Sequence, residues 1–392
     1  MEEKVELKID SKENGINCLI QVQEDPDARE LGKLERVLVY RDDYLVYQGN
    51  AVPGKVFKIP DSINIPISKL RTGKNEIRVI AETRSGTRAE KEVIYNLEKP
   101  PADRPKPKMH SMSAGVSDYA VTSVFRDLSS ARDCQLFDKL IALKAEATNI
   151  YTKGNSVLLI NTEVTPENLL QSFIKLEKAI DNPDDLLVVL LSGHGVSGKS
   201  LMDIRKTKEL NTDDLFSKES KYFFVCSNFN LADYEKTSLD ADELIGGLES
   251  ISCRKIVLLD ACHAGRGGEW YGDFRKHVNP VLLIGAAGKD EEAKERNIQD
   301  KARLQEPEDG VEINNMNGFF TYFFARELFG SNAHLAFGDK NILNLADVFN
   351  NFESNFNKFK EISIQIDKTD PVLQSPLIFR SDKAKDIVLR KK

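Results

Sequence analysis

The sequence predicts an α/β fold with a small all-β sandwich domain in front of it. Two continuous apolar runs, LLVVLL (186–191) and KIVLLD (255–260), lack polar alternation, which is typical of strands buried on both faces of a parallel sheet. Segments with apolar residues at helical spacing lie between such runs. This alternation predicts a mostly parallel sheet with helices on both faces.

The first 98 residues show a different pattern. Short segments of alternating apolar and polar residues, such as INCLIQVQ (16–23) and NEIRVIAET (75–83), are separated by Gly, Pro, Asn and Asp. They predict an antiparallel sandwich of about seven strands. The next segment, KPPADRPKPK, holds four prolines and predicts a stiff linker. We therefore expect a sandwich domain at 1–98, a Pro-rich linker at 99–108 and an α/β domain at 109–392.

The elements of the α/β domain follow from local patterns. Thr165 and Pro166 are suited to the N-cap and first position of a helix reaching Ile180. The charged stretches 199–221 and 289–316 predict surface loops. The other expected strands are 112–119, 156–161 and 281–288, and the other expected helices are 131–148, 239–248, 318–330 and 345–359.

Composition narrows the function classes. The net charge of −7 and the pI near 5.5 argue against a nucleic-acid binder. The five cysteines are odd in number and show no CxxC spacing, which indicates a reducing compartment and at least one free thiol. With no signal-like start and no long apolar stretch, we expect a cytoplasmic protein without a membrane partner.

Two reactive side chains follow the two apolar runs. His194 lies between two glycines in SGHG, and Cys262 lies among small residues in DACHAG. Chemistry in an open parallel sheet takes place beyond the carboxyl ends of its strands, so we expect His194 and Cys262 to form a nucleophile–base pair. His263 is an alternative base, but an adjacent residue in an extended segment points the other way. Backbone N–H groups of Gly195 and Cys262 are candidate oxyanion donors.

Further cysteines are expected to be inert packing residues. They are Cys18, Cys134, Cys226 and Cys253.

Together, SGHG and DACHAG resemble the caspase-like cysteine peptidases, especially the prokaryotic metacaspase or orthocaspase branch. Further resemblance lies in GVSDYA (115–120), RDLSSARDC (126–134) and NGFFTYFFAREL (317–328), although Asn317 replaces a frequent histidine. The resemblance implies a caspase-hemoglobinase fold, with Cys262 as nucleophile and His194 as general base and acid. The first domain resembles the immunoglobulin-like modules of bacterial members.

Specificity can be argued from charge. Asp260 lies two residues before Cys262, so strand periodicity places both on one face, where a carboxylate favours a cationic substrate residue. Cleavage after Arg or Lys is therefore expected, as the metacaspase resemblance also implies. By resemblance, Asp133 and Ser192 complete the pocket. Asp133 is equally suited to a helix-start carboxylate that interacts with the helix dipole.

Activation is open to several readings. A basic specificity makes Arg296 and Arg303, in the second charged stretch, candidate self-cleavage sites, unless that stretch is a solvated loop that is never cut. The dyad itself requires no cofactor. Calcium activation is left open, because carboxylates are abundant but no EF-hand loop is present, and the metal ligands are unknown.

The expected partner is a protein or peptide substrate, and the sandwich domain can recruit a further protein. An alternative function is a non-catalytic caspase-like scaffold, against which the intact pair His194 and Cys262 argues. A nucleotide-binding protein is disfavoured, because neither GxGxxG nor GxxxxGK[ST] follows the first strand of the α/β domain.

Overall fold

The predicted fold class is confirmed: a small all-β sandwich precedes a mostly parallel sheet with helices on both faces. The computed structural model describes residues 4–12, 15–23, 34–42, 44–50, 62–84, 87–99, 104–120, 124–125, 127–219, 221–261, 281–285, 318–329, 342–344, 347–348, 350–357, 377–380 and 388–391. Over these residues, every helix is too short or too polar to cross a lipid bilayer.

Seven described strands form the sandwich. They are β1 (Lys4–Lys12), β2 (Gly15–Gln23), β3 (Leu34–Arg41), β4 (Tyr44–Asn50), β5 (Ile63–Pro66), β6 (Gly73–Thr83) and β7 (Arg88–Leu97). All of their pairings are antiparallel, in one sheet of order β1-β2-β5 and another of order β4-β3-β6-β7. Ile16 of the first sheet and Val37 and Ile77 of the second lie in one buried core, because alternate residues of each strand face inward.

The central sheet of the α/β part has six described strands. They are β8 (Lys108–Gly115), β9 (Thr152–Ile160), β10 (Leu186–Gly193), β14 (Arg254–Ala261), β15 (Val281–Gly285) and β17 (Leu377–Arg380), in the spatial order β17-β15-β14-β10-β8-β9. Only the pairing of β17 is antiparallel among these. Every residue of β10 is buried, so its apolar run contributes to a hydrophobic core on each face of the sheet.

Helices cover both faces of this sheet. They are α1 (Ser130–Lys144), α2 (Pro166–Ala179), α3 (Gly198–Thr207), α4 (Tyr234–Thr237), α5 (Ala241–Glu249) and α6 (Phe319–Phe329), and residues 350–357 are also helical. The core with α2 and α5 takes Val189 from β10, whereas the core with α1 and α6 takes the neighbouring Val188. The predicted N-cap is present, since Thr165 Oγ1 accepts the N–H of Asn168 at 3.2 Å.

A second, three-stranded sheet lies beyond β10. It consists of β11 (Gly195–Ser197), β12 (Tyr222–Val225) and β13 (Ser238–Asp240), paired antiparallel in that order. A separate pair joins β16 (Ile342–Asn344) and β18 (Val388–Lys391).

The loop predicted at 199–221 is wrong, because α3 and a 3₁₀ helix at Asp213–Lys218 occupy much of it. Arg205, a basic residue of this stretch that a basic specificity would otherwise make a candidate for self-cleavage, lies in α3, is 6% exposed and pairs with Asp214, so it is unsuited to cleavage.

Buried polar contacts join the sandwich to the amino-terminal edge of the central sheet. Asp184, two residues before β10, accepts hydrogen bonds from the Thr72 hydroxyl at 2.9 Å and from Arg104 at 2.8 Å. Arg41 of β3 donates to the carbonyl of Ser252, just before β14, at 2.8 Å. The side chain of Arg104 is 6% exposed, so this part of the predicted linker is anchored to the protein. The domain boundaries themselves stay predictions.

Candidate active site

The candidate site begins at the carboxyl ends of β10 and β14, which are adjacent and parallel. Gly193 and Ala261 are register partners at the last positions of these strands. His194 follows Gly193 directly. Cys262 is the next residue in the sequence after Ala261 and lies outside the described residues. The two strands that precede the predicted pair therefore end side by side at one sheet edge.

The backbone of His194 is held on two sides. Its N–H donates to the Tyr119 hydroxyl at 2.7 Å, and its carbonyl accepts the N–H of Val225 at 3.0 Å. The imidazole packs against the ring of Tyr119 at 4.8 Å and the ring of Phe125 at 5.1 Å between centroids. Phe229 supports Phe125 by an edge contact at 5.3 Å. The half-buried imidazole is thus placed by aromatic neighbours.

The same tyrosine explains the glycine before the histidine. A Cβ added at Gly193 would lie 2.6 Å from the Tyr119 hydroxyl, so a side chain there would displace the group that binds His194. The absence of a side chain at Gly193 therefore makes room for Tyr119, which belongs to the GVSDYA segment but was given no role from sequence.

Gly195 lies at the start of β11, where it pairs with Phe224. Because Val225 donates to the carbonyl of His194, the His194–Val225 position is the hydrogen-bonded pair. The adjacent Gly195–Phe224 position is then the non-hydrogen-bonded pair, whose N–H groups point away from the partner strand. The N–H of Gly195 therefore points away from β12, a geometry compatible with an oxyanion donor.

The predicted pocket residues are brought together. Ser192 and Asp260 are register partners on β10 and β14. A Cβ added at Gly115 would lie 2.5 Å from the carbonyl of Ser130, so the missing side chain lets α1 start against the end of β8. That contact places Asp133, in the first turn of α1, at the same sheet edge.

Both carboxylates bind the amino terminus of α6. Asp133 accepts the N–H of Gly318 at 2.6 Å, and Asp260 accepts the hydroxyl of Thr321 at 2.5 Å. Their exposed fractions are only 1% and 6%. The sequence offered the dipole of α1 as a structural role for Asp133, whereas the structure adds a contact with α6. The sequence gives no sign that Gly318 and Thr321 bind these carboxylates.

The four other cysteines are free and buried. Burial raises the pKa of Cys18 and of Cys253 to about 12, and it raises the pKa of Cys226 as well. Burial also raises the pKa of Cys134, and the nearby carboxylates of Asp133 and Asp260 act in the same direction. A thiol with a raised pKa is a poor nucleophile, as expected of a packing residue.

Several predicted residues lie outside the described part of the chain. They are Cys262, His263, Arg296, Arg303 and Asn317. The described residues contain no group of three or more His, Cys, Asp or Glu side chains that could hold a metal ion. Calcium activation therefore stays an open possibility, as it was from the sequence.

Comparison with known proteins gives remote likenesses. No family model and no curated protein sequence matches the chain. The chain is similar to protein GSU0716 of Geobacter sulfurreducens, with 15% identity, a TM-score of 0.40, and coverage of 73% of this chain and 98% of that one. It is also similar to caspase-1 of Spodoptera frugiperda, with 12% identity, a TM-score of 0.39, and coverage of 73% and 91%. A third structure, pro-sf-caspase-1, has 10% identity, a TM-score of 0.37, and coverage of 71% and 93%.

Proposed function

We propose that the chain is a caspase-like cysteine endopeptidase that cleaves after Arg or Lys, with Cys262 as nucleophile and His194 as general base and acid. The observation that supports this most is the register of Gly193 with Ala261. Parallel strands in register end at one edge of the sheet, and the next residues in the sequence after these two strands are a histidine and a cysteine.

The proposed reaction uses the residues in order. His194 accepts the proton of the Cys262 thiol, and the thiolate attacks the carbonyl carbon of the substrate. The N–H groups of Gly195 and Cys262 stabilise the resulting oxyanion. Protonation of the amine by His194 then breaks the C–N bond and leaves a thioester. Water, deprotonated by His194, hydrolyses that thioester and restores the thiol.

The basic specificity is supported by the two buried carboxylates. Asp133 and Asp260 bring negative charge to the sheet edge where His194 follows β10, and Ser192 is the register partner of Asp260. A guanidinium can bind two carboxylates at once, so Arg is the preferred residue on the acyl side of the scissile bond. An acidic residue there is repelled.

The decisive experiment is a panel of fluorogenic peptides that end in Arg, Lys or Asp, measured with and without calcium. We expect cleavage after Arg and Lys by the unaltered protein and none by Cys262→Ala or His194→Ala. Cys253→Ala is the matched control, because this buried cysteine lies just before β14, at the opposite end of the sheet. Better cleavage after Asp would refute the specificity, and equal activity in Cys262→Ala would refute the nucleophile.

Self-processing at Arg296 or Arg303 is part of the proposal. Intact mass after purification tests it, since Cys262→Ala should remain whole while the active protein yields fragments that end at one of these residues. Identical masses would remove self-processing without affecting the peptidase assignment. Recruitment of a partner by the sandwich is likewise proposed, from its resemblance to immunoglobulin-like modules.

A further inference from the structure

Tyr119 stands between the end of β8 and the candidate base. Its side chain is 5% exposed, and its hydroxyl accepts the backbone N–H of His194 at 2.7 Å. Its ring lies 4.8 Å from the imidazole at an interplanar angle of 53°. One buried side chain thus contacts both the backbone and the ring of the same histidine.

The position of Tyr119 is itself fixed by the fold. The N–H of Val116 donates to the carbonyl of Ser192 at 3.1 Å, which ties the segment after β8 to the end of β10. The ring of Phe125 lies 5.8 Å from the ring of Tyr119 and supports it from the side. Gly193 leaves the space that the hydroxyl occupies. Tyr119 is therefore held by the backbone link between Val116 and Ser192 and by Phe125, which also packs against the imidazole of His194.

His194 needs such support because β10 ends one residue before it. Its N–H has left the ladder of the central sheet, and the Tyr119 hydroxyl is the acceptor it finds. A proton carrier displaced by about 1 Å can lose about a hundredfold in rate. The rings of Tyr119 and Phe125 also pack against the imidazole and limit its rotation.

We infer that Tyr119 is a positioning residue for His194, fixing the peptide of the histidine through its hydroxyl and the imidazole through its ring; this inference rests on the proposed function. Tyr119 itself takes no part in bond making or breaking. Its contribution is to keep the imidazole where it can exchange a proton with the thiol. Loss of the hydroxyl alone should therefore lower kcat without altering substrate affinity.

The test compares Tyr119→Phe with Tyr151→Phe. Tyr151 is also buried, 1% exposed, and precedes β9 at the opposite end of the sheet. We expect Tyr119→Phe to lower kcat about tenfold to a hundredfold with KM within about twofold, and Tyr151→Phe to change neither. The rate of Cys262 alkylation by iodoacetamide against pH is the second readout. Tyr119→Phe should raise the apparent pKa of that thiol by about half a unit or more.

The alkylation profile separates this inference from the proposed function, because it requires no substrate. If His194→Ala shifts the profile and Tyr119→Phe changes neither the profile nor kcat, the role of Tyr119 is refuted while the dyad stands. If His194→Ala leaves the profile unchanged, the dyad fails and the role of Tyr119 fails with it. If Tyr119→Phe does not fold, Phe125→Leu removes the supporting ring instead, and an unchanged profile there refutes the inference.

Discussion

Asp133 and Asp260 belong to a helix and a strand far apart in sequence, yet they face the same turn. A Cβ added at Gly318 would lie 3.2 Å from Oδ2 of Asp133 and 2.5 Å from Oδ2 of Asp260. Two buried carboxylates this close are stabilised by donors at the start of α6, including the Gly318 N–H and the Thr321 hydroxyl. The first turn of α6 therefore binds the two carboxylates that carry the charge of the proposed pocket.

We expect Asp260→Asn to reduce kcat/KM for an Arg peptide about tenfold to a hundredfold, since a hydrogen bond to a charged group contributes about 1.5–3 kcal/mol. The amide oxygen can still accept the Thr321 hydroxyl, so the fold should persist. Asp138→Asn is the control, because Asp138, in α1, likewise accepts hydrogen bonds from hydroxyl groups, those of Ser111 and Ser156. Equal losses in the two variants would exclude a specific role for Asp260.

Gly318→Ala should destabilise the protein by about 1–3 kcal/mol, because the added methyl group meets both carboxylates. Gly246→Ala is its counterpart in α5, where an added Cβ finds nothing within 4 Å. The free energy of unfolding of Gly246→Ala should rise by about 0.5–1 kcal/mol, because alanine restricts the unfolded chain and favours the helix. Urea unfolding monitored by circular dichroism gives both free energies. A stabilised Gly318→Ala would contradict the packing of α6 described above.

Asp184→Ala should destabilise the protein by about 3–5 kcal/mol, because it leaves the guanidinium of Arg104 buried without its carboxylate. Lys236→Ala is the comparison, since its salt bridge with Asp233 is exposed and contributes at most about 0.5 kcal/mol. Thermal unfolding measures both. If Asp184→Ala lowers the unfolding free energy no more than Lys236→Ala does, the contacts between the sandwich and the central sheet add little to stability.

Iodoacetamide at pH 8 should modify Cys262 in the folded protein and leave the other four thiols unmodified. Alkylation requires the thiolate, and burial raises the pKa of Cys18 and Cys253 to about 12, so their thiolate fraction at pH 8 is negligible. As the pH is raised, Cys18 and Cys253 should begin to react only when the pH approaches that pKa. Peptide mapping by mass spectrometry identifies the sites, and denaturation in urea should make all five reactive.

Rapid labelling of Cys253 in the folded state would contradict its burial. Absence of label on Cys262 would argue against the nucleophile.

The central sheet could be predicted because burial on both faces leaves an unmistakable pattern. LLVVLL has no polar position, and in the structure its residues alternate between two cores. Helix α3 was predicted as a loop because its exposed face is basic and only Leu201 and Met202 are buried apolar residues. Its N-cap, Ser197, accepts the N–H of Ser200 at 3.0 Å, but the same motif is common in turns.

The site was predictable only where chemistry leaves a motif. SGHG marked His194 because glycines bracket a titratable side chain. Tyr119 could not be assigned a role, since its contact with His194 depends on the register of β8 against β10. The joint binding of Gly318 and Thr321 by Asp133 and Asp260 depends on three elements that meet only in the folded chain.

The contacts of Asp184 lie at the opposite end of β10 from His194, a strand length of about 26 Å away. Substitutions near His194 can therefore accumulate without weakening the contacts of Asp184 with Thr72 and Arg104. A chain truncated in the Pro-rich segment so that Arg104 is removed would, in contrast, leave Asp184 without that ion pair. Variants with altered substrate preference are best sought in a chain that keeps the sandwich and the Arg104–Asp184 pair.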